Sequence, residues 1–218
     1  MKVFSVKQIA HTESMQIVSM SLGRFRANAY IIRCLASNEC MLIDAPAEAG
    51  AIKHALEGMR LKYIAFTHGH HDHTGALIDL KSNYNVPLAI HHDDASLIPL
   101  EASMYLDDGQ VITVGQILIR VIHTPGHTSG SVCFHTGNHL IDGDTLFPGG
   151  PGRTYSPAGL KQIINSITTR IFSLPDDTLV HPGHGESTTV AKARAEYEIF
   201  ESRTHPSELY GNVHWLTS

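Results

Sequence analysis

Between Thr67 and Thr74 the chain reads T-H-G-H-H-D-H-T, directly after the apolar, strand-like run Tyr63-Ile64-Ala65-Phe66. Four good metal ligands, His68, His70, Asp72 and His73, fall within six consecutive positions. Donors crowded in this way ask for a cation. Neutral imidazole suits zinc, iron and copper, and a neighbouring carboxylate lets a site hold a second metal and ionise a bound water. The chain must therefore fold so that the end of a strand opens into a polar site, which is where α/β folds commonly place their ligands.

The 218 residues, 42% hydrophobic and 17% charged, suffice for one globular domain spanning 1–218 with a sizeable core, and leave little room for a second. A formal net charge of −5, with no basic run or aromatic-interleaved Lys/Arg patch, points to small-molecule partners and away from nucleic acid. The segment Met1 to Gln8 interrupts its apolar residues with polar ones, and no run approaches the ~20 apolar residues of a membrane span. No membrane association and a cytoplasmic location are the expectation. Cys34, Cys40 and Cys133 are an odd count without CxxC spacing, which fits reduced thiols; Cys34 and Cys133 sit in apolar strand-like runs and read as packing residues. Sixteen histidines equal the lysines and arginines together, so only some can be ligands.

The first third reads as strands at Val3 to Ile9, Met15 to Met20, Asn28 to Leu35 and Cys40 to Asp44, a mostly antiparallel sheet. Ala47 to Met59 carries apolar positions Ala51, Ile52, Ala55, Leu56 and Met59 at helical spacing, and strand 62–66 follows. A helix at Gly75 to Tyr84, a strand at Leu88 to Ile90 and a short helix at Asp93 to Leu97 come next. The pattern then restarts with strands Val111 to Val114, Gln116 to Ile122, Ser131 to His135 and Leu140 to Gly143. A helix from Pro157 to Phe172 has proline in its first turn and Leu160, Ile163, Ile164 and Ile167 on one face. Strand Thr178 to His181 and helix Thr188 to Glu201 complete the series. Strands followed by helix, twice over, imply two face-to-face sheets with helices outside, an αββα sandwich.

Three later segments end strands with further ligands. Thr124 to Ser131 (T-P-G-H-T-S-G-S) holds His127 in a Gly/Pro turn, Ile141 to Phe147 (I-D-G-D-T-L-F) ends in acidic residues, and His181 to Gly185 (H-P-G-H-G) carries His184. Strand ends of one sheet system converge, so His127, Asp144 and His184 are candidates to join the first cluster. His91 and His92, before Asp93 and Asp94, read as solvated capping residues of a helix start, with a place near the pocket mouth as the alternative. Residues such as His123, His139 and His181 carry no functional reading.

The motifs H-x-H-x-D-H at 68–73, G-H-T-S-G-S, D-G-D-T-L-F and P-G-H-G, in this order, resemble the metallo-β-lactamase-fold superfamily over nearly the whole chain. Within it the sequence looks most like the stand-alone glyoxalase-II-like hydrolases, which also show a loop similar to Gly149-Gly150-Pro151-Gly152-Arg153-Thr154. The resemblance implies that His68, His70 and His127 hold one metal, that Asp72, His73 and His184 hold a second, and that Asp144 bridges them. Two divalent ions are implied, with zinc the leading choice and iron or manganese the alternatives. Asp72 and Asp144 are then the catalytic carboxylates, Asp72 orienting the nucleophile. Two cations roughly 3.5 to 4 Å apart can share a hydroxide and stabilise charge on an attacked carbonyl, which suits hydrolysis of a thioester such as a hydroxyacylglutathione, or of a related ester or lactone.

Asp44 resembles an acidic residue that many family members place beneath the site, where it accepts a hydrogen bond from a ligand imidazole; capping the helix after Pro46 is the alternative. Arg153 and Tyr155 are candidate substrate contacts, with loop anchoring as the other reading, and Tyr155 stands where relatives often have aspartate. Full-length glyoxalase II proteins have an extra C-terminal helical region supplying basic contacts to glutathione, whereas here about thirty residues follow Thr188, with Lys192, Arg194 and Arg203 as the available cations. A runner-up is a persulfide dioxygenase with one iron on His68, His127 and Asp144. The apolar tail Leu209 to Leu216 reads as docking on its own domain, with a homodimer contact or a wall of the substrate pocket as alternatives.

Overall fold

The computed structural model describes residues 6–218. In chain order the elements are β1 (Val6–His11), β2 (Met15–Leu22), β3 (Ala27–Cys34), β4 (Glu39–Ile43), α1 (Ala49–Ala55), β5 (Arg60–Ala65), α2 (His71–Thr74), α3 (Leu77–Lys81) and β6 (Leu88–Ile90). A 3₁₀ turn (His92–Leu97) leads to β7 (Met104–Tyr105), β8 (Val111–Val114), β9 (Ile117–His123), β10 (Val132–Thr136), β11 (His139–Gly143), β12 (Leu146–Phe147) and β13 (Gly150–Pro151). The chain ends with α4 (Pro157–Ser166), a π turn (Ile167–Ile171), β14 (Leu179–Pro182), β15 (Thr188–Thr189) and α5 (Val190–Glu201). The first part of the expected strand Val3 to Ile9 lies outside the described residues; its remainder is β1.

Two large sheets result. One has the order β1-β2-β3-β4-β5-β6-β7, the other β15-β14-β11-β10-β9-β8. The first is antiparallel from β1 to β4 and parallel from β4 to β7. Alternation along the strands explains how the sheets stack. In β3 and β4, Tyr30, Ile32, Met41 and Ile43 face the second sheet, where they meet Ile119, Val121, Phe134 and Ile141. Their neighbours Ile31, Cys40 and Leu42 face the other way, onto Ile52 of α1 and Leu77 and Leu80 of α3. On the far side of the second sheet, Leu140 and Val180 pack against Ile163 of α4, Val190 and Phe200 of α5, and Trp215 of the tail. Both sheets are thus buried on both faces, the expected four-layer αββα arrangement.

Several boundaries differ from expectation for identifiable reasons. The helix expected over Ala47 to Met59 is only Ala49–Ala55, because Glu48 before it and Gly58 beyond it take left-handed backbone (φ +46° and +74°). The helix expected to run evenly to Phe172 widens after Ser166 into the π turn. There the hydroxyls of Thr168 and Thr169 donate to the carbonyls of Ile164 (2.9 Å) and Asn165 (2.7 Å), competing with the regular backbone ladder. Its start is as the sequence predicts, with Ser156 accepting the Gly159 N–H ahead of Pro157. All three cysteines are free and buried. Among the described residues no helix is long and apolar enough to cross a membrane.

Candidate metal centre

The parallel strands deliver the site. Beyond the end of β4 stands Asp44, beyond β5 stand Thr67 and His68, and α2 presents Asp72 and His73. The second sheet contributes His127 from the β9–β10 connection, Asp144 just after β11 and His184 just after β14. Nitrogen and oxygen atoms of His68, His70 and His127 lie within 4.8 Å of one another, as do those of His68, His73 and Asp144, and those of Asp72, His73 and His184. All seven residues singled out in the sequence therefore meet in one place. Arg153 lines a cavity of about 380 Å³ together with Asp144, His184, Asn212 and His214, while Tyr155 sits edge-on to His70 at 6.3 Å.

Hydrogen bonds fix which nitrogen faces the centre in four of the five imidazoles. His127 Nδ1 meets the Arg153 carbonyl at 2.8 Å and His184 Nδ1 meets the Phe25 carbonyl at 3.0 Å. A carbonyl can only accept, so both rings carry a proton on Nδ1 and turn Nε2 inward. Asp44 does the same for two more ligands. Its Oδ2 lies 2.9 Å from His73 Nδ1 and also accepts the Thr67 hydroxyl at 2.8 Å, while Oδ1 accepts the Thr67 N–H at 2.8 Å. With its own proton given to Asp44, the Thr67 hydroxyl is left to accept from His68 Nδ1, 3.0 Å away. His68 Nε2 then faces the centre, buried and without a protein partner. Of the two readings of Asp44, the hydrogen bond beneath the site is the one observed.

The inward atoms are too close for unshared lone pairs. His127 Nε2 and His70 Nδ1 are 2.9 Å apart, and His73 Nε2 and His184 Nε2 are 3.2 Å apart. The Asp144 carboxylate lies between the two groups, Oδ1 at 3.4 Å from His73 Nε2 and Oδ2 at 3.5 Å from His127 Nε2 and 3.7 Å from His184 Nε2. Asp72 Oδ2 is 3.4 Å from His184 Nε2. Imidazole nitrogens and carboxylate oxygens converging on one buried spot suit cations, and the unpartnered His68 Nε2 and Asp144 Oδ1 are the atoms such ions would satisfy.

Protonation follows this geometry. Burial, reinforced by the neighbouring His73, holds His68 well below the usual imidazole range. Burial and His127 likewise lower His70. For His73 burial works in the same direction, but the carboxylates of Asp44 and Asp144 override it and push it up to about 10. Burial opposes ionisation of Asp144, yet the surrounding His73, His68 and His127 keep it well below the usual carboxylate range. The His184 hydrogen bond lowers Asp72. Burial also opposes protonation of His184, but its contact with Asp72 and the charge of Asp144 raise it, so the protein alone favours positive charge on imidazoles beside its carboxylates, a charge that a bound cation would replace.

Some supporting residues carry no clear sequence signal. Asp94, buried behind the site, accepts the N–H of Gly69 on Oδ2 and of Gly130 on Oδ1, both at 2.8 Å, and so ties the His68–His70 segment to the turn bearing His127. Tyr30 Oη (2.6 Å) and Asn28 Nδ2 (2.9 Å) donate to the Pro182 carbonyl and fix the turn bearing His184; their spacing of two along a strand was the available clue. Gly183 is required by close approach, since a Cβ there would overlap the Asp144 carboxylate and the His73 ring.

Residues 22–184 match the model of the metallo-beta-lactamase superfamily. The chain belongs to that superfamily. Members of the metallo-β-lactamase superfamily are generally hydrolases, and the His/Asp cluster is its metal-binding feature. A hydroxyacylglutathione hydrolase of Bradyrhizobium is 36% identical over 159 residues, covering 71% of this chain and 61% of the relative, so that the chain spans less than two thirds of that protein. The hydroxyacylglutathione hydrolase GloC of Haemophilus influenzae is 30% identical over 75% of this chain and 88% of its own length. Among superfamily structures, TTHA1623 in a di-iron-bound form superposes with a TM-score of 0.70 at 31% identity, covering 80% of this chain and 95% of that one. ETHE1 from Myxococcus xanthus gives 0.69 at 30% identity, covering 86% and 80%.

Proposed function

We propose that this chain is a binuclear metal-dependent hydrolase acting on a thioester or related ester of a small molecule. One cation would be held by His68, His70 and His127, the other by Asp72, His73 and His184, with Asp144 bridging them. The observation that carries this reading is the set of inward-facing imidazole nitrogens, four of whose rings have their other nitrogen committed to a fixed partner. When bound, the pair of ions supplies a water ionised near neutral pH and a Lewis acid for the carbonyl.

The residues of the chain supply the rest. Asp72, lowered by His184 and about a quarter exposed (26%), remains a carboxylate at neutral pH at the rim of the site, where it holds and orients the proton of the attacking water. Asp44 and Thr67 keep His73 and His68 in register. Arg153 has no ion-pair partner among the described residues, and its guanidinium lies over the Tyr155 ring at 5.3 Å beside the cavity at Asp144 and His184. It is placed to bind a substrate carboxylate or carbonyl. The likeness to two hydroxyacylglutathione hydrolases supports the thioester class.

Zinc is the leading choice of metal, and the di-iron relative makes iron the main alternative. The test is elemental analysis of protein purified without added metal or chelator, combined with assays on acyl-thiol and lactone panels. Two ions per chain and thioester turnover that disappears in Asp72→Ala are expected. One iron per chain with no thioester turnover would overturn the reading in favour of iron oxygenase chemistry on His68, His127 and Asp144.

A further inference from the structure

A second histidine–aspartate cluster lies outside the centre described above. His91 ends the segment after β6, Asp93 sits in the 3₁₀ turn, and His123 is the last residue of β9; ligand atoms of the three lie within 4.8 Å of one another. We propose that His91, Asp93 and His123 form a peripheral site for a late first-row divalent cation such as Cu²⁺, Ni²⁺ or Zn²⁺. Two imidazoles and one carboxylate are a donor set for these ions, with affinity expected to be highest for copper.

The His123 ring is arranged as a metal ligand usually is. Its Nε2–H donates to the Ser129 carbonyl at 2.9 Å, which fixes the tautomer, orients the ring and leaves the Nδ1 lone pair bare. The His91 ring stacks on it with centroids 4.1 Å apart and planes 9° from parallel. His91 Nδ1 lies 3.8 Å from Asp93 Oδ2, and its bond there is a 3.2 Å contact accepted from the Asp93 N–H. A cation would take the place of that N–H and draw the two rings out of their stack until both lone pairs converge.

Charge favours the same occupant. Burial and the adjacent His123 hold His91 below the usual imidazole range, so its lone pair is available at neutral pH. Asp93, Asp94 and Asp107 face His91, while Asp108, which accepts the His123 backbone N–H at 3.0 Å, is paired with Arg170. The position also has a structural consequence. The 3₁₀ turn carries Asp94, which holds Gly69 and Gly130, so an ion joining this turn to the end of β9 would brace the two ligand-bearing loops from outside.

The experiment starts from the holoprotein as purified and uses Zn²⁺ in equilibrium dialysis, comparing wild type with Asp93→Ala and His123→Ala. Neither residue is a central ligand or in the core, but His123 also holds the Ser129 carbonyl in the turn bearing His127, so the comparison of hydrolysis rates uses Asp93→Ala. Wild type is expected to take up one more equivalent than either variant, while Asp93→Ala keeps the same tightly held metal and the same hydrolysis rate as wild type. Electron paramagnetic resonance of added Cu²⁺ should report two imidazole nitrogens in wild type and one in His123→Ala. Equal uptake by wild type and both variants, or no uptake beyond the tightly held ions, would overturn the peripheral site. Because the readout is the difference between chains that share the same centre, it is independent of how many ions that centre holds.

Discussion

Replacing Asp44 by Asn changes one atom and should disturb both halves of the centre. Asp44 has φ +59°, a left-handed conformation that Asn tolerates well, so the backbone argument against the variant is small. Three donors converge on the Asp44 carboxylate, the Thr67 N–H and hydroxyl and the His73 Nδ1–H. The one carbonyl oxygen of Asn can keep the Thr67 N–H, but its NH₂ group then faces the other two. His73 must accept instead of donate, which moves its proton to Nε2, the nitrogen that would hold a cation. The Thr67 hydroxyl loses its acceptor and turns its proton to His68 Nδ1, 3.0 Å away, which reverses that tautomer as well. Loss of such a supporting contact weakens metal affinity by about 10- to 100-fold, or about 1.4–2.7 kcal/mol. In the proposed two-ion arrangement His68 and His73 belong to different ions, so each ion should lose about that much. Competition against a chromophoric chelator at fixed pH measures it, with kcat followed in parallel. Thr67→Val removes only the arm to His68 and should weaken one ion while sparing the other. Affinities of Asp44→Asn within about threefold of wild type for both ions would refute the tautomer argument, since it requires at least a tenfold loss.

Three further outcomes follow from the geometry. In the metal-free chain His73 is raised from an unfolded value of 6.5 to about 10; its pairing with Asp44 and Asp144 therefore stabilises fully below pH about 6.5 and fades as pH rises through about 10. Metal uptake near pH 7 must expel that proton, and calorimetry in buffers of different ionisation enthalpy should show its release; a net proton count of zero would contradict this. Asp94→Ala strands the Gly69 and Gly130 N–H groups at a cost of about 1–3 kcal/mol each, so the thermal midpoint should fall by several degrees, and an unchanged midpoint would remove Asp94 from its bridging role. Trp215 is fully buried against Phe172 and Tyr197; its change to Ala should cost about 3–5 kcal/mol in urea titration and raise KM, because the tail that it anchors hydrogen-bonds to Gly149 (Trp215 N–H to O, 2.8 Å) on the Arg153 loop.

The ligands themselves were legible because they sit in short segments, each at the end of an apolar, strand-like run. The four-layer stacking was legible from the order of the elements, strands followed by helix twice over, although Ile31, Ile32, Met41 and Leu42 are all apolar and only the structure shows which face each takes. What the sequence could not display was pairing across distance. His91-His92-Asp93-Asp94 looks like a solvated helix start, and His91 does accept the Asp93 N–H as a cap, yet Asp94 is buried against two glycines from other parts of the chain. Asp44 had two equally good local readings, and only the approach of Thr67 and His73 decides between them. The π turn after Ser166 was hidden because apolar spacing continues through it, while the hydroxyls of Thr168 and Thr169 change the backbone pattern underneath. Tail docking was the expected reading of Leu209 to Leu216, but the hydrogen bonds of Gly211 and Trp215 to the Gly149–Thr154 loop were not.

The division of ligands between the sheets has its own consequence. His68, His70, Asp72 and His73 follow the fifth strand of one sheet, while His127, Asp144 and His184 come from connections in the other. Neither half has a full set of donors for the proposed pair of ions, so tight loading would be available only to a chain whose two halves have already closed on each other. Metal occupancy would then act as a quality check on assembly, distinguishing finished molecules from half-docked ones before any substrate arrives, and chelation would favour reopening along the seam between the sheets.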